Sequence, residues 1–388
     1  MTPVTSTKVL TIEPLALQDM RELLSSKGPC LTLVLPAYRP GERAKSSSVL
    51  LKAQLQEAAH QLAERGVAGS VVDQLLAPLQ SYANDPVQLG GSHWGRAIIR
   101  STSVLRQFRL TQPVSASVSV GNCFAIRPLL TELNLPPEFY LLMLSKNRVD
   151  LLHCGHHGVV KMELPNHIPA TLNDFLQLEP PDHDLENRSA SGADTGAMRA
   201  VRFGTGSERE TKHAHSGDYY RAVDRGLHKL LGEERIPLML AGVDEDSAIY
   251  RSVSEYPSLL RDSLHRSGEE SLQEADLLRD GYAIIRVEAI ERETKALTSA
   301  KERLAPSRFS TDPVTVLRAA FEGRVHRLYI DEDGSRPSTF ENAVYQSLGE
   351  EDLMNLAAVQ TILHAGLVFT APDEKMPENA ALAAEFRF

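Results

Sequence analysis

The sequence predicts a mixed α/β fold divided among two or three domains. Short strand-like runs alternate with helical patterns along most of the chain, which is typical of α/β proteins. The chain has 388 residues, too many for one ordinary domain, and 42% of them are hydrophobic, enough for more than one core. Between Pro180 and Ser216 the alternation stops, and so long a segment without periodicity is usually either functional or disordered.

The first third, up to about residue 135, combines helices with short strands. Leu15–Leu24 has an amphipathic helical pattern, and Cys30–Tyr38 alternates apolar positions before prolines end it, which predicts a strand. Helical spacing follows over residues 49–79, with one glycine-containing break. After a Gly-Gly turn come WGRAIIRS, SVLRQFRL and VSASVSVGNCFAIRPLL, all three of which predict strands.

The middle third, which opens after the boundary marked by LPP at 135–137, begins with three strands. Tyr140–Leu144 and Val149–Cys154 form a predicted hairpin, and Val159–Leu164 follows after a glycine-framed turn. After the 180–215 segment, Ser216 is the expected N-cap of a helix. One apolar face of that helix consists of Tyr219, Val223, Leu227, Leu230 and Leu231.

The next elements predict a return to the sheet and then two helical stretches. Ile236–Asp244 is a continuous apolar run of strand length, which favours a buried parallel strand. Asp246–Ser254 and Leu259–Leu264 have helical spacing, and Asp276–Thr298 predicts a long helix.

The last third predicts a small α/β/α sandwich. Pro313–Phe321 is a helical pattern that ends at Gly323, and RVHRLYIDED predicts a strand. EDLMNLAAVQTILHAG predicts a second helix, and LVFTAP and AALAAEFRF predict two further strands.

Composition limits the function. The net charge of −10 argues against a protein that coats nucleic acid without specificity, although it permits a local basic patch. The three scattered cysteines suggest no disulfide framework, so a reducing cytoplasm is expected. The sequence shows neither a signal-peptide pattern at its start nor an apolar run long enough to span a membrane.

The 180–215 segment and the helix after it are locally basic. Between Glu186 and Lys229 there are eight Arg/Lys and six Asp/Glu residues, a difference of +2. Arginine contacts to phosphate, with Phe203, Tyr219 and Tyr220 available for stacking, would suit RNA; the alternative is a solvated loop of mixed charge. The candidate RNA-binding residues are Arg188, Arg199, Arg202, Arg209, Lys212, Arg221 and Arg225.

Histidines and an aspartate at the two ends of the segment are the candidates for chemistry. Asp182, His213 and His215 could act as acid or base, because histidine titrates near neutral pH. No cysteine is available in this segment as a further metal ligand, and the sequence does not determine the distances between these side chains. The sequence therefore predicts neither a metal site nor a cofactor.

Four stretches of the middle and last thirds resemble the bacterial homologues of the archaeo-eukaryotic class I release factors and their relative Pelota. EFYLLMLSKNRVDLLHCG is similar to the family's opening hairpin, and HSGDYYRAVDRGLHKLL to the helix after its catalytic loop. PLMLAGVDEDSAIYR resembles the buried strand that follows. EGRVHRLYIDED, together with the segment from NLAAVQ to the end, resembles the last domain.

The resemblance implies three domains: an N-terminal α/β domain of the bacterial branch at 1–135, a ribonuclease-H-like middle domain at 136–291, and a Pelota-like α/β/α domain at 292–388. It also implies a cytoplasmic translation factor that enters the ribosomal A site in termination, rescue or dormancy. The ribosome with tRNA or rRNA, and a GTPase, are the implied partners. The oligomeric state stays open.

At the 180–215 segment the chain departs from the family. Release factors carry Gly-Gly-Gln there, which positions a water against the peptidyl-tRNA ester. This segment has separated glycines and no glutamine; the flanking glutamines are Gln177 and Gln273. The absence of a glutamine from this segment favours A-site occupancy over peptide release. A His- or metal-dependent hydrolase or nuclease, and a non-catalytic adaptor, are the alternatives.

Overall fold

Three separate β-sheets, one in each third of the chain, confirm the mixed α/β class. The computed structural model describes residues 12–13, 15, 17–26, 28–36, 44–85, 95–178, 205–232, 235–265, 273–331 and 353–388. The chain divides into two compact units, one of residues 138–281 and the other of residues 1–137 with 282–388. The domain boundaries at 135/136 and 291/292 stay predictions.

The first sheet has the strand order β1-β4-β3-β2-β5. Its strands are β1 (Ile12–Glu13), β2 (Cys30–Leu35), β3 (Gly95–Arg100), β4 (Leu105–Leu110) and β5 (Ser117–Gly121), and its helices are α1 (Leu17–Leu24), α2 (Ala44–Glu64), α3 (Gly69–Ala83) and α4 (Arg127–Asn134). The strand predicted to run through FAIRPLL is wrong beyond β5. Pro128 stands in the first turn of α4, where its fixed φ favours a helix, and Leu129 and Leu130 are buried.

The last sheet has the order β11-β14-β12-β13 and lies in the same compact unit as the first. Its strands are β11 (Phe309–Ser310), β12 (Val325–Asp331), β13 (Leu367–Ala371) and β14 (Leu382–Phe386); the helices of this part are α8 (Glu274–Arg303), α9 (Pro313–Phe321) and α10 (Leu353–Leu363). One apolar cluster contains residues of α1 and α4 together with α9 and α10. The two regions therefore share a hydrophobic core.

The middle sheet, order β10-β9-β6-β7-β8, forms the second unit. Its elements are β6 (Glu138–Ser145), β7 (Arg148–Gly155), β8 (Gly158–Met162), α5 (Leu172–Leu178), α6 (Thr205–Leu231), β9 (Leu238–Gly242), α7 (Asp244–Val253) and β10 (Leu259–His265). The antiparallel meander β6-β7-β8 and the parallel set β6-β9-β10 give the ribonuclease-H-like arrangement that the resemblance implied. The helix expected at Leu259–Leu264 is wrong, because this stretch pairs with β9.

The helix α6 confirms its predicted apolar face but not its predicted start. Tyr219, Val223, Leu227 and Leu231 are buried, and Leu230 is partly buried. Ser216 is not an N-cap, because the helix begins at Thr205 and Ser216 lies inside it. The first turns lack an apolar stripe, so periodicity could not reveal them, whereas extending an established helix costs little free energy. No helix of the described residues is long and apolar enough to cross a membrane.

Candidate functional site

The candidate site lies where the parallel strands of the middle sheet reach their carboxyl ends. Lys146, just after β6, is paired with Glu245 of α7 at 3.8 Å, and His265 at the end of β10 contacts Asp244 at 2.6 Å. These exposed contacts add little stability, but they show that three strand ends and the start of α7 are neighbours. Ligands of open α/β sheets commonly bind at this edge.

The middle of α6 lies at the same edge. Tyr220 of α6 is close enough to the Asp246 carboxylate, two residues past the start of α7, to have its hydroxyl pKa raised further by that charge, beyond the effect of burial. The preceding helix α5 packs on α6 through Phe175 and Tyr219, whose ring centroids are 6.1 Å apart. The helix α6, which begins at Thr205, therefore reaches the carboxyl edge of the sheet near its middle.

The two tyrosines expected to stack on RNA are part of the core. Tyr219 and Tyr220 are fully buried, their rings lie 5.0 Å apart, and the Tyr219 hydroxyl donates to the carbonyl of Ala170 at 3.3 Å. Burial raises the pKa of both hydroxyl groups well above the usual range. The prediction that these two residues stack on RNA is therefore wrong. Phe203, the third residue expected to stack, lies outside the described residues.

One of the six acids counted in this stretch is buried and belongs to the packing of α6. The Asp224 carboxylate accepts hydrogen bonds from the Tyr250 hydroxyl at 2.8 Å, the Ser254 hydroxyl at 2.6 Å and the Glu255 amide at 3.0 Å. His228 lies 3.7 Å from the same carboxylate. Because Asp224 is engaged inside the protein, it does not offset the charges on the exposed side of the helix.

The exposed side of α6 is a cationic stripe, which we define as Asp218, Arg221, Arg225 and Lys229. Their spacing of three or four residues places them on one face. Arg221 donates to Asp218 at 2.6 Å, so the stripe holds three cations and one carboxylate. A stripe of this sign suits phosphate contacts.

The structure describes only some of the sequence-predicted site residues. Arg221 and Arg225 lie together on the cationic stripe, and His215, which is partly buried, lies one helical turn before Asp218. Arg209, Lys212 and His213 belong to the backbone span of α6, but their side chains lie outside the described residues. Four further candidates lie wholly outside the described residues: Asp182, Arg188, Arg199 and Arg202.

A polar cluster beneath the middle of α6 was not predicted from the sequence. The Tyr220 hydroxyl and the Asp246 carboxylate are buried beside each other, and Ser247 Oγ is buried next to Asp246 without a hydrogen-bond partner in the described part of the chain. The run DEDS directly after a buried strand was the available signal. No three His, Cys, Asp or Glu side chains among the described residues are grouped so that they could hold a metal ion. The described site therefore offers surface charge rather than an assembled catalytic group.

Comparison with known proteins finds a family match for the middle of the chain. Residues 138–324 match the sequence model of Bacterial archaeo-eukaryotic release factor family 3. The matched range starts at the first residue of the unit that carries α6. No curated protein matches the chain.

Solved structures align along nearly the whole chain. An archaeal translation termination factor, aRF1, is 13% identical with a TM-score of 0.24, and 96% of this chain and 99% of that chain are covered. Archaeoglobus fulgidus Pelota is 11% identical, TM-score 0.38, with 97% and 93% covered. S. cerevisiae Dom34, described as a translation termination-like factor interacting with Hbs1, is 8% identical, TM-score 0.32, with 97% and 94% covered. Similarities this low support no inference about activity.

Proposed function

Because residues 138–324 match the model of Bacterial archaeo-eukaryotic release factor family 3, we propose that the chain is a ribosome-associated translation factor of the cytoplasm. The family match to the unit that carries α6 is the observation on which the proposal rests. The proposed partners are the ribosome with its tRNA or rRNA, and a GTPase of the kind that works with such factors.

In this proposal the protein occupies the ribosomal A site and presents the 180–204 segment and α6 to RNA. Two features support it: the middle of α6 lies at the edge of the sheet where ligands commonly bind, and α6 carries the cationic stripe. Arg221 and Arg225 are exposed and reach solvent on one face, so both guanidinium groups can approach phosphates together.

We propose further that this occupancy serves rescue or dormancy rather than glutamine-dependent release. Release-factor chemistry depends on positioning a water and stabilising an oxyanion, which here would need the amide that residues 180–215 lack.

Co-sedimentation with ribosomes over a salt series tests the proposal. Each phosphate contact that is lost should reduce the slope of log affinity against log salt by about 0.7–0.9. The double variant Arg221→Gln/Arg225→Gln should therefore bind more weakly at low salt, with a slope smaller by about 1.4–1.8. With peptidyl-tRNA in the P site, the wild-type protein should bind without releasing peptide.

Arg235→Gln is the matched control, since Arg235 is exposed in the same unit but precedes β9, at the opposite edge of the sheet. It should sediment like the wild type. Failure of the wild-type protein to pellet at low salt would refute the ribosomal role. If the Arg221/Arg225 variant binds like the wild type, α6 is not part of the interface. If Arg199→Glu/Arg202→Glu binds like the wild type, the 180–204 segment is not part of it. Peptide release would refute a non-hydrolytic role.

A further inference from the structure

We propose that the unit formed by residues 1–137 and 282–388 binds a small, non-aromatic phosphorylated anion. A cavity of about 780 Å³ lies in this unit. That volume falls in the range of small-molecule sites. The cavity belongs to a different compact unit from α6, so the inference does not depend on the ribosomal role.

The walls of the cavity come from elements far apart in the sequence. They are the strand β5, the start of α4, part of α8, and the ends of β12 and β13. These elements meet where the first and last regions of the chain share a hydrophobic core. The cavity therefore exists only in the assembled unit, and no local sequence motif marks it.

Three arginines line the cavity, in a chain whose net charge is −10. Arg65 follows α2, Arg127 opens α4 and Arg286 lies on α8, whereas Asp331 is the single carboxylate among the lining residues. A guanidinium group presents a planar fork of N–H donors that matches two phosphate oxygens. Three such groups around one space favour an anion with more than one charge.

Neutral acceptors help to hold two of these guanidinium groups. Arg286 Nη1 donates to the side-chain oxygen of Gln112 at 2.9 Å, and Arg127 Nη2 donates to the carbonyl oxygen of Asp331 at 3.3 Å. These hydrogen bonds orient the two side chains. Arg286 also lies near Glu132, whose pKa burial raises to about 7.

The start of α4 and the open edge of β5 add further sites for an anion. Arg127 and Pro128, the first two residues of α4, line the cavity, and Ile126 provides no side-chain cap, so the positive end of the helix faces this region. Among the described residues β5 pairs only with β2, and Ser117 and Ser119 line the cavity. Serine hydroxyls can donate to phosphate or sugar oxygens.

The lining also indicates the class of ligand. No aromatic side chain is among the described residues around the cavity, so a nucleobase would find no ring to stack on. Gln61, Thr131 and Thr370 add polar groups suited to hydroxyls. A sugar phosphate or a short oligophosphate fits this lining better than a nucleotide or RNA.

Calorimetric titration of the full-length protein with pyrophosphate, and separately with ribose 5-phosphate, tests the assignment. We expect saturable one-site binding of at least one probe. Arg65→Gln should weaken it several-fold and Arg65→Gln/Arg127→Gln by about tenfold or more, because charged hydrogen bonds to the anion are lost. Arg303→Gln is the control, since Arg303 is exposed in the same unit and outside the cavity lining.

Arg65 is exposed, so its replacement leaves the fold intact, and thermal melting of each variant checks this. Absence of saturable binding up to about 10 mM of both probes overturns the proposal. Equal affinity of the wild type and the Arg65→Gln/Arg127→Gln variant overturns it as well. If a short single-stranded RNA displaces pyrophosphate and ribose 5-phosphate does not, the cavity binds RNA rather than a small anion. That result also overturns the proposal.

Discussion

Glu132 on α4 gives a quantitative test of the unit that holds the cavity. Part of the residue is exposed, but its carboxyl group, the part that titrates, is buried and accepts hydrogen bonds from the amide and hydroxyl of Thr111. Burial is the main cause that raises its pKa from the ordinary 4.5 to about 7, and hydrogen bonds from Thr111 and the attraction of Arg286 only partly oppose it.

The sign of the effect on stability follows from proton binding. Between pH 4.5 and pH 7 the folded carboxyl group holds a proton that the unfolded one has lost, so the free energy of unfolding falls as pH rises through this window. At about 1.4 kcal/mol per pKa unit, the ionised group costs on the order of 3 kcal/mol above pH 7. The hydrogen bonds and the attraction of Arg286 are already included in this shifted pKa.

Glu132→Gln removes the titration while its side-chain oxygen can still accept from Thr111. Urea unfolding of both proteins at pH 5 and pH 8, followed by far-UV circular dichroism, measures the difference. We expect similar free energies of unfolding at pH 5, and a variant more stable than the wild type by up to about 3 kcal/mol at pH 8. Hydrogen exchange in peptides covering α4 should show the same pH-dependent difference.

Glu302→Gln, a change of the same chemistry at an exposed position of α8, is the control and should show no comparable pH-dependent gain. The reasoning about Glu132 is refuted if its glutamine variant and the wild type differ equally at both pH values. A wild type that gains stability over the variant as pH rises would refute it more strongly, because that sign belongs to a carboxylate stabilised by its partners.

Two matched pairs of variants test the packing of α6. Tyr220→Phe removes a buried hydroxyl that lies beside the Asp246 carboxylate without a hydrogen bond of good geometry, so it should lower the urea midpoint only slightly. Tyr250→Phe takes a well-formed donor from the buried Asp224 carboxylate and should cost about 1–3 kcal/mol. Equal effects of the two changes would contradict this assignment. In Gly217→Ala the added methyl group meets open space, so the change should stabilise the helix by roughly 0.5–1 kcal/mol. In Gly226→Ala the methyl group would collide with Ile168, so the change should destabilise the helix by about 1–2 kcal/mol in thermal melts. Stabilisation by both changes would show that Ile168 moves aside without strain.

Elements with a strong local period were predicted well. The strands β6, β7 and β8 follow the expected pattern because a two-residue alternation and turn residues define a hairpin locally, and Gly158 has the positive φ of 105° that such a turn favours. The run at Ile236–Asp244 is the buried parallel strand β9 because it lies between two other strands.

Elements whose pattern fits two structures were not predicted. Leu259–Leu264 has apolar residues at spacings that suit a helix, but pairing with β9 makes it a strand. The first turns of α6 carry no apolar stripe, so the pattern placed its start at Ser216 instead of Thr205. Periodicity reports burial, and it cannot detect a helical turn that buries no apolar side chain.

The sequence predicted a candidate site but could not resolve it into its parts. The resemblance pointed to the segment before α6 and to the basic residues around it. It could not show that Tyr219 and Tyr220 belong to the core, or that Asp224 is engaged inside. A charge count treats every acid alike, whereas burial removes one of them from the surface.

The α/β class, most helices and strands, and the absence of glutamine from residues 180–215 follow from the amino-acid sequence alone. Three features became visible only in the folded chain: which charges of α6 are exposed, that the first and last regions share a core, and that Arg65, Arg127 and Arg286 line one cavity. This division arises because periodicity shows which face of an element is buried. The partner of that face lies far away in the sequence, and it is selected by packing.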